Sequence, residues 1–506
     1  MDLVIVILFL ILYYLRPQEW YGIFASIHWV QICMLAGLGT LFFREKSIKL
    51  RDLFRTPHDW VVFAFWLWIV VSAPNRWEAF KDNANLYIFY IVIVQVLYSV
   101  PRMRIFLGWW TFLIVTVALL AIATEWGFDP LDSMSITNGS MKGRLVLNLS
   151  IFDNPNGLGH SVVPAIPMLY YYLIWKRPIT SRALGVGFLL IPLYCIYLTV
   201  SKGSFLCGGI TIFATMAIGR PLRVQVAMAV FAAMFGTGML FALPRMNELS
   251  KSKSDPAIQG RVLAFKHGYE LLQTRIAGVG KGHWGDDAFI TEYTPLLLSP
   301  KPGEAYAKPR IVLRPYRHGK APHSSYVCTG AETGKPGLFL FVAVLYCCLR
   351  TTITARTQTT DEERIRRLLF VLIISYIVSS WMVDFEYRPT FFMFTAAIAA
   401  LHRHLLWRRG EQEEPAPAPD DSLEPPVPVW LHPPLVPQGA FAGAPGAMRE
   451  SLLFPPENDE PETVVPAPQS SGIAWNWRRL GWVDLLLITV GWWGVIRFWA
   501  YMMERM

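Results

Sequence analysis

The chain has 506 residues and a formal charge of +9, yet only 16% of its residues are charged and its mean hydropathy is +0.35. Soluble domains carry about 25% charged residues, so this composition excludes an ordinary soluble protein. Repeated long apolar runs without apolar–polar alternation indicate membrane-spanning helices and exclude a membrane β-barrel. The six cysteines have no spacing typical of zinc sites or disulfide frameworks, so neither metal nor cofactor is expected.

Twelve apolar runs predict spanning helices, and a thirteenth follows near the C-terminus. The predicted spans are residues 2–15, 26–43, 60–73, 86–100, 105–124, 158–175, 183–200, 205–219, 224–243, 337–349, 368–383, 391–407 and 482–500. We therefore predict an all-α polytopic integral membrane protein of about 12 transmembrane helices plus a thirteenth, with a large external loop between helices 9 and 10.

The basic residues of the short loops predict the orientation, because such residues accumulate on the cytoplasmic side. They follow even-numbered spans, as in Arg44, Lys46, Lys49, Arg51, Arg55, Arg102, Arg104, Lys176, Arg177, Arg182, Arg220, Arg223, Arg350, Arg356, Arg364, Arg366 and Arg367. This regularity predicts a cytoplasmic N-terminus and an outward-facing loop at residues 244–336.

Composition divides the chain into three predicted domains. Residues 1–409 form the membrane domain, and 478–506 form a C-terminal hydrophobic helix that either spans the membrane or lies on it. Between them, residues 411–470 contain 15 prolines and 11 acidic residues, which predicts a disordered cytoplasmic linker over 410–477. The loop 244–335, in contrast, carries 14 Lys and Arg against 8 Asp and Glu, which suits anionic head groups or phosphates.

Two candidates for anion binding lie in this loop. Arg261 opens a helix-like stretch over 262–272, where a guanidinium and a helix N-terminus together hold a phosphate; alternatively, it pairs with Asp255 or Glu270. Residues 278–282 read Gly-Val-Gly-Lys-Gly, which permits close backbone approach to an anion but is explained equally well as a turn after a helix.

Two further candidates lie at the ends of predicted spans. His323 precedes the tenth span, where a histidine can accept a proton at neutral pH, although other histidines compete for this role: His160, His267, His283 and His318. Lys202 lies between the seventh and eighth spans, where it either meets an anion or extends its amine to the membrane interface.

The order of these motifs resembles the O-antigen ligase and Wzy polymerase superfamily. The resemblance covers roughly residues 140–350: Asn154-Pro155-Asn156-Gly157, Ser201-Lys202-Gly203, Gly260-Arg261, residues 278–282, and His323 with Gly334-Lys335-Pro336-Gly337. Arg16-Pro17 after a short first helix is similar to the exosortase-associated O-glycosylation ligase branch. The pattern departs from the family at Lys202, which stands for the usual arginine, and at Ser324, which stands for the usual asparagine.

The resemblance implies a metal-independent glycosyltransferase. It would move a glycan from a polyprenyl-diphosphate carrier to an acceptor hydroxyl on a glycan, lipid or protein, at the outer face of the bacterial inner membrane. The implied catalytic residues are His323 and Arg261, and the implied diphosphate ligands are Arg261, Lys202 and Lys281. Candidate contacts of the glycan or lipid carrier are Asn154, Asn156 and Arg144. Arg261, Lys202 and His323 are therefore expected to converge on one outward-opening cavity.

Two alternatives stay open. A Wzy-like polymerase would use another lipid-linked repeat unit as the acceptor. A non-catalytic polysaccharide exporter or transporter would carry paired ionisable residues within its spans and an internal repeat. The polar residues instead concentrate at one predicted face, which favours the enzyme. Membrane lipid is an expected partner and nucleic acid is not.

Overall fold

The computed structural model describes residues 2–20, 29–42, 53–139, 141–230, 256–284, 289–298, 310–318, 322–413 and 479–505. In chain order the helices are α1 Asp2–Tyr14, α2 Pro17–Trp20, α3 Trp29–Phe42, α4 Pro57–Ser72, α5 Arg76–Val96, α6 Val100–Glu125, α7 Ser133–Asn138, α8 Pro155–Val162, α9 Ala165–Leu169, α10 Ile179–Thr199, α11 Lys202–Ala217, α12 Pro256–Thr274, α13 Ser325–Thr354, α14 Thr360–Ser379, α15 Pro389–Glu413 and α16 Trp482–Arg505. A 3-10 turn at Ser150–Phe152 precedes α8, and a π-helical turn at Tyr170–Ile174 extends α9. Strands β1 Phe289–Leu298 and β2 Arg310–His318 pair antiparallel.

Five of the described helical segments are long and apolar enough to cross a membrane: Asp2–Trp20, Val100–Glu125, Ile179–Thr199, Ser325–Thr354 and Trp482–Arg505. The helical, membrane-spanning fold is thus confirmed in its coarse form. The other predicted spans within the described residues also fall on helices, but several of those helices are short or charged at one end. The number of 12 or 13 spans therefore stays a prediction.

The basic residues of several loops meet at one end of the helical bundle. Arg104 near the start of α6 binds Asp361 at the start of α14, with Nη1 and Oδ2 2.7 Å apart. Arg367 of α14 donates to the carbonyl of Ile218 after α11 and stacks over Trp175. Loops that the sequence assigned to one side of the membrane are thus neighbours in space. Which side is cytoplasmic stays a prediction.

The opposite ends of α13 and α14 lie together at the other end of the bundle. The 20 residues of α14 rise about 30 Å from its basic start to its C-terminus, about one membrane thickness. There the backbone N–H of Ser325, which begins α13, donates to the carbonyls of Ser380 and Val383. This end collects the sequence-predicted candidates Arg261 and His323.

The predicted external loop contains regular structure. It includes α12, the β1–β2 hairpin and the first residues of α13, which begins 12 residues before the predicted span at 337. Hydropathy misses this start because residues 325–333 are mostly small and polar, although the structure buries all of them. A kink at Gly334, with φ 69°, then joins the two helical parts of α13. The strands are an addition to the predicted all-α fold.

The predicted domain boundaries stay a prediction. Helix α15 continues past residue 409 to Glu413. The predicted linker over 410–477 lies almost wholly outside the described residues. The C-terminal hydrophobic helix is present as α16, and it packs against both α12 and α13.

Candidate active site

A cavity of about 430 Å³ opens at the non-basic end of the bundle, between α12, α14 and α16. Its walls are mostly apolar, and two polar side chains, Arg261 and His323, enter it. The lining residues are Arg261, Phe265, His323, Ile377, Val378, Trp381, Met382, Phe498 and Met502. Two of the three residues that were expected to converge therefore share one cavity, although 62 positions separate them in the chain.

The start of α13 fixes the position of His323. His323 has φ 49°, a left-handed conformation that is uncommon outside glycine and asparagine. Directly after it, Ser324 is the N-cap of α13 and donates its hydroxyl to the carbonyl of Ser380 at 3.2 Å. The hydroxyl of Ser325 donates to the carbonyl of Val383 at 2.8 Å. These bonds hold His323 against the turn between α14 and α15.

That turn brings Asp384 to the imidazole. Nδ1 of His323 lies 3.7 Å from Oδ1 of Asp384, an ion-pair distance when the histidine is protonated and longer than a hydrogen bond. Burial raises the pKa of Asp384, but the neighbouring imidazole, with the charge of Arg388, outweighs it and holds the pKa below its usual value. Asp384 is thus ionised at neutral pH and lies beside the Nδ1 edge of the imidazole.

Helix α12 carries Arg261 to the cavity. Arg261 and Phe265 are four residues apart, so they lie on the same face of α12, and both line the cavity. Further along this face, Gly268 packs so closely on Val327 of α13 that an added Cβ would lie 2.7 Å from it. The guanidinium of Arg261 is also near enough to His160 of α8 to act on it electrostatically. The position of Arg261 therefore depends on the packing of α12 against the bundle.

Lys202 is absent from the residues that line this cavity, but its motif adjoins the wall. A Cβ on Gly203 would lie 2.9 Å from the sulfur of Met382, which lines the cavity, and 3.0 Å from Nε2 of His160. Helix α11 begins at Lys202, and Ser201 caps it by accepting from the backbone N–H of Ser204. The predicted role of Lys202 in diphosphate binding stays a prediction.

The asparagine motif and the serine–lysine–glycine motif join in one network. Oδ1 of Asn156 accepts from the hydroxyl of Ser201 at 2.8 Å and from Nη2 of Arg144 at 3.1 Å. Nε of Arg144 also donates to the carbonyl of Thr199, while Asn154 caps α8 through the N–H of Asn156. Through these contacts Asn154, Asn156 and Arg144 align α8 with α11. Their predicted contact with a glycan or lipid carrier stays a prediction.

Lys281 lies among other polar groups, and its predicted role in diphosphate binding stays a prediction. Its amine bonds to Oδ1 of Asn83 and lies 5.0 Å from the ring centre of Tyr387. Burial lowers the pKa of Lys281, although the carboxylates of Glu332 and Glu386 act to raise it. Lys281 does not line the cavity.

The glycines around Lys281 fit tightly against α13. The N–H of Gly280 donates to the carbonyl of Glu332 at 2.8 Å, and the N–H of Gly282 donates to Oε1 of the same residue at 3.0 Å. Gly278 has φ 73°, and a Cβ there would lie 2.4 Å from the backbone of Glu332. These contacts require glycine where the turn approaches α13 closely. They favour the interpretation of residues 278–282 as a turn after a helix over the interpretation as an anion contact.

Sequence reasoning missed several parts of this site. Asp384 lies in the turn between α14 and α15, and nothing in its local sequence pattern pairs it with His323. Phe498 and Met502 belong to α16, more than 170 residues after His323, and their apolar character looked like ordinary membrane sequence. Only the packing of α16 reveals that they line a cavity.

These observations describe a multi-pass helical membrane protein with a polar site at one end of its bundle. Residues 162–342 match the family model described as O-Antigen ligase. The match includes Lys202, Arg261 and His323, so the predicted resemblance to the O-antigen ligase superfamily is confirmed over this stretch. Asp384 and α16 lie outside the matched residues. No match to a curated protein is found.

Proposed function

We propose that the chain transfers a glycan from a polyprenyl-diphosphate carrier to an acceptor hydroxyl at the cavity between α12, α14 and α16. The observation that carries this proposal is the shared cavity of Arg261 and His323 within the stretch that matches the O-antigen ligase family. A cation and a base beside apolar walls suit a substrate with a diphosphate, a sugar and a lipid chain.

The leaving group gives Arg261 its role. As the bond between the sugar carbon and the diphosphate oxygen breaks, the electron pair stays on the diphosphate. A guanidinium binds such an anion through two parallel N–H groups and stabilises the charge that develops in the transition state. Arg261 at the polar part of the cavity supplies this charge without a metal.

His323 acts on the acceptor. Nε2 takes the proton of the attacking hydroxyl while the acceptor oxygen forms its bond to the sugar carbon, and Asp384 stabilises the resulting imidazolium. General-base catalysis of this kind contributes roughly 10²–10⁴-fold to the rate. The polyprenyl diphosphate leaves as the second product, so atoms and charge balance.

A transporter is the less supported candidate. It calls for paired charges at mid-span, whereas the buried pair of Arg350 and Asp484 lies near the basic end of α13, where α16 docks. A polymerase would use the same chemistry, and the length of the product distinguishes it from a ligase. The reaction is assigned to the outer face of the inner membrane, following the predicted orientation.

The test compares purified variants supplied with a lipid-linked glycan and an acceptor. Arg261→Ala and His323→Asn should each lose about 10²-fold or more in transfer rate. Asparagine tolerates the left-handed backbone of His323, so this variant removes the base without adding strain.

Matched controls lie nearby. Arg275→Ala removes an exposed arginine just after the C-terminus of α12, and His283→Ala removes another histidine of the same loop; neither lines the cavity. Both controls should keep wild-type rates. Wild-type transfer by Arg261→Ala and His323→Asn would refute the proposed function.

A further inference from the structure

The C-terminal helix α16 runs the length of α13 and is anchored at both ends. Near its start, Oδ1 of Asp484 lies 3.1 Å from Nε of Arg350 and accepts from the hydroxyl of Tyr346 at 2.7 Å. Near its end, Trp499 is fully buried and its indole N–H donates to the carbonyl of Phe265 at 3.1 Å. Arg350 lies late in α13, so the two helices are antiparallel.

Trp499 fits into a gap made by two glycines. A Cβ on Gly268 of α12 or on Gly330 of α13 would each lie 3.1 Å from the indole ring. The ring also meets Tyr269 edge to face, with centres 5.7 Å apart. Larger side chains at these positions would push the indole out. The chain is therefore shaped to receive α16 next to the helix that carries Arg261.

The other face of the same turn of α16 enters the cavity. Phe498 and Met502 are four residues apart and line it together, and Phe498 packs edge-on against Trp381 with ring centres 5.0 Å apart. Phe498 lines the cavity and is 47% exposed, so its ring is not covered by other side chains of the chain. Helix α16, which begins 69 positions after the end of α15, thus builds part of the wall of the cavity that Arg261 and His323 line.

We propose that Phe498 and Met502 contact the first isoprene units of the lipid-linked donor, so that α16 is a part of the donor site. This proposal rests on the proposed function. In such a donor the diphosphate joins the lipid directly, so a chain whose head group binds Arg261 begins within the same cavity. The lining of that cavity is apolar beyond its two polar groups, and a ring and a flexible thioether suit a branched hydrocarbon.

Binding of the lipid chain is the same in the ground state and the transition state, because the chain does not react. Loss of such uniform binding raises KM and leaves kcat unchanged. Phe498→Ala with Met502→Ala should therefore raise KM for the full-length donor about 10-fold with kcat within about twofold. Leu486→Ala, on an exposed position of α16 away from the cavity, should change neither constant.

A binding measurement separates this proposal from the proposed function. Benzoylphenylalanine replaces Phe498, or Leu486 as the control, in the full chain reconstituted into vesicles of phosphatidylethanolamine and phosphatidylglycerol. The probe is a radiolabelled polyprenyl diphosphate without a glycan. Cross-linking at position 498 that excess unlabelled probe suppresses, and that position 486 lacks, is the expected result.

Equal cross-linking at positions 498 and 486 would mean that bulk membrane lipid covers Phe498, and it would overturn the proposal. An unchanged KM in an active protein that carries both Phe498→Ala and Met502→Ala would also overturn it. Competed cross-linking in a protein that transfers no glycan would support the lipid contact while overturning the proposed function. The lipid contact and the glycan transfer are therefore tested independently.

Discussion

Removal of the Trp499 indole should detach the C-terminal helix from the site it helps to build. This side chain is fully buried where α16 meets α12 and α13, and it is among the largest buried side chains of the described residues. Trp499→Ala leaves a hole between two glycines, Gly268 and Gly330, neither of which has a side chain to fill it.

The cost follows from packing and from one hydrogen bond. Replacing a buried tryptophan by alanine costs about 3–5 kcal/mol, and the upper part of this range applies where the surroundings cannot collapse. The bond from the indole N–H to the carbonyl of Phe265 accounts for about 1 kcal/mol. Trp499→Phe, which keeps an aromatic ring, should therefore lose much less than Trp499→Ala.

The assay is equilibrium unfolding of the full chain in mixed detergent micelles, followed by circular dichroism. Trp482→Ala is the matched control, because it deletes the same side chain from the same helix at a position that is 87% exposed. It should change the free energy of unfolding by less than about 0.5 kcal/mol. The KM for the donor should rise in Trp499→Ala along with the loss of stability.

A loss below about 1 kcal/mol in Trp499→Ala, or an equal loss in Trp482→Ala, would refute the reasoning. Either result would mean that α16 is held by its apolar character alone and that the contacts of the indole are incidental. The contact between Asp484 and Arg350 at the other end of α16 remains in Trp499→Ala, Trp499→Phe and Trp482→Ala. A difference in stability between the two Trp499 variants therefore arises at the end of α16 near the cavity.

Two further predictions concern the structure around the site. Burial, together with the charge of Asp384, raises the pKa of Glu386 to about 8. The folded state therefore favours the protonated carboxyl. This stabilisation of the folded state is complete below about pH 4.5 and is lost as the pH rises to about 8. The melting temperature should fall across this window, and Glu386→Gln should flatten that slope, whereas the exposed Glu78→Gln should leave it unchanged. The second prediction is that Gly334→Ala lowers the free energy of unfolding by more than about 2 kcal/mol, because φ is 69° and the added Cβ would lie 1.9 Å from the carbonyl oxygen of Ile276. The control is Gly494→Ala, which should cost nothing because a Cβ there meets nothing within 4 Å. Equal melting temperatures of the two variants would contradict this prediction.

Local patterns predicted much of the molecule because the membrane imposes simple rules. Apolar runs placed helices at or near the observed positions. Arg104 and Asp361, from two segments assigned to the same side of the membrane, are neighbours in the structure. Motif order selected Arg261 and His323. The glycine-rich turn around Lys281 is compatible in sequence with an anion contact or with a turn after a helix. Its close approach to Glu332, which the structure shows, favours the turn.

The sequence by itself determined the class of fold and the candidate base and cation, since hydrophobicity, loop charge and motif order are local properties. The tertiary structure decided which groups meet. It set Asp384 beside His323, moved Lys281 into an interior contact, and brought Phe498 and Met502 into the cavity with Arg261. Those contacts depend on helix packing between segments far apart in the chain, where small glycines and one buried indole fix the distances.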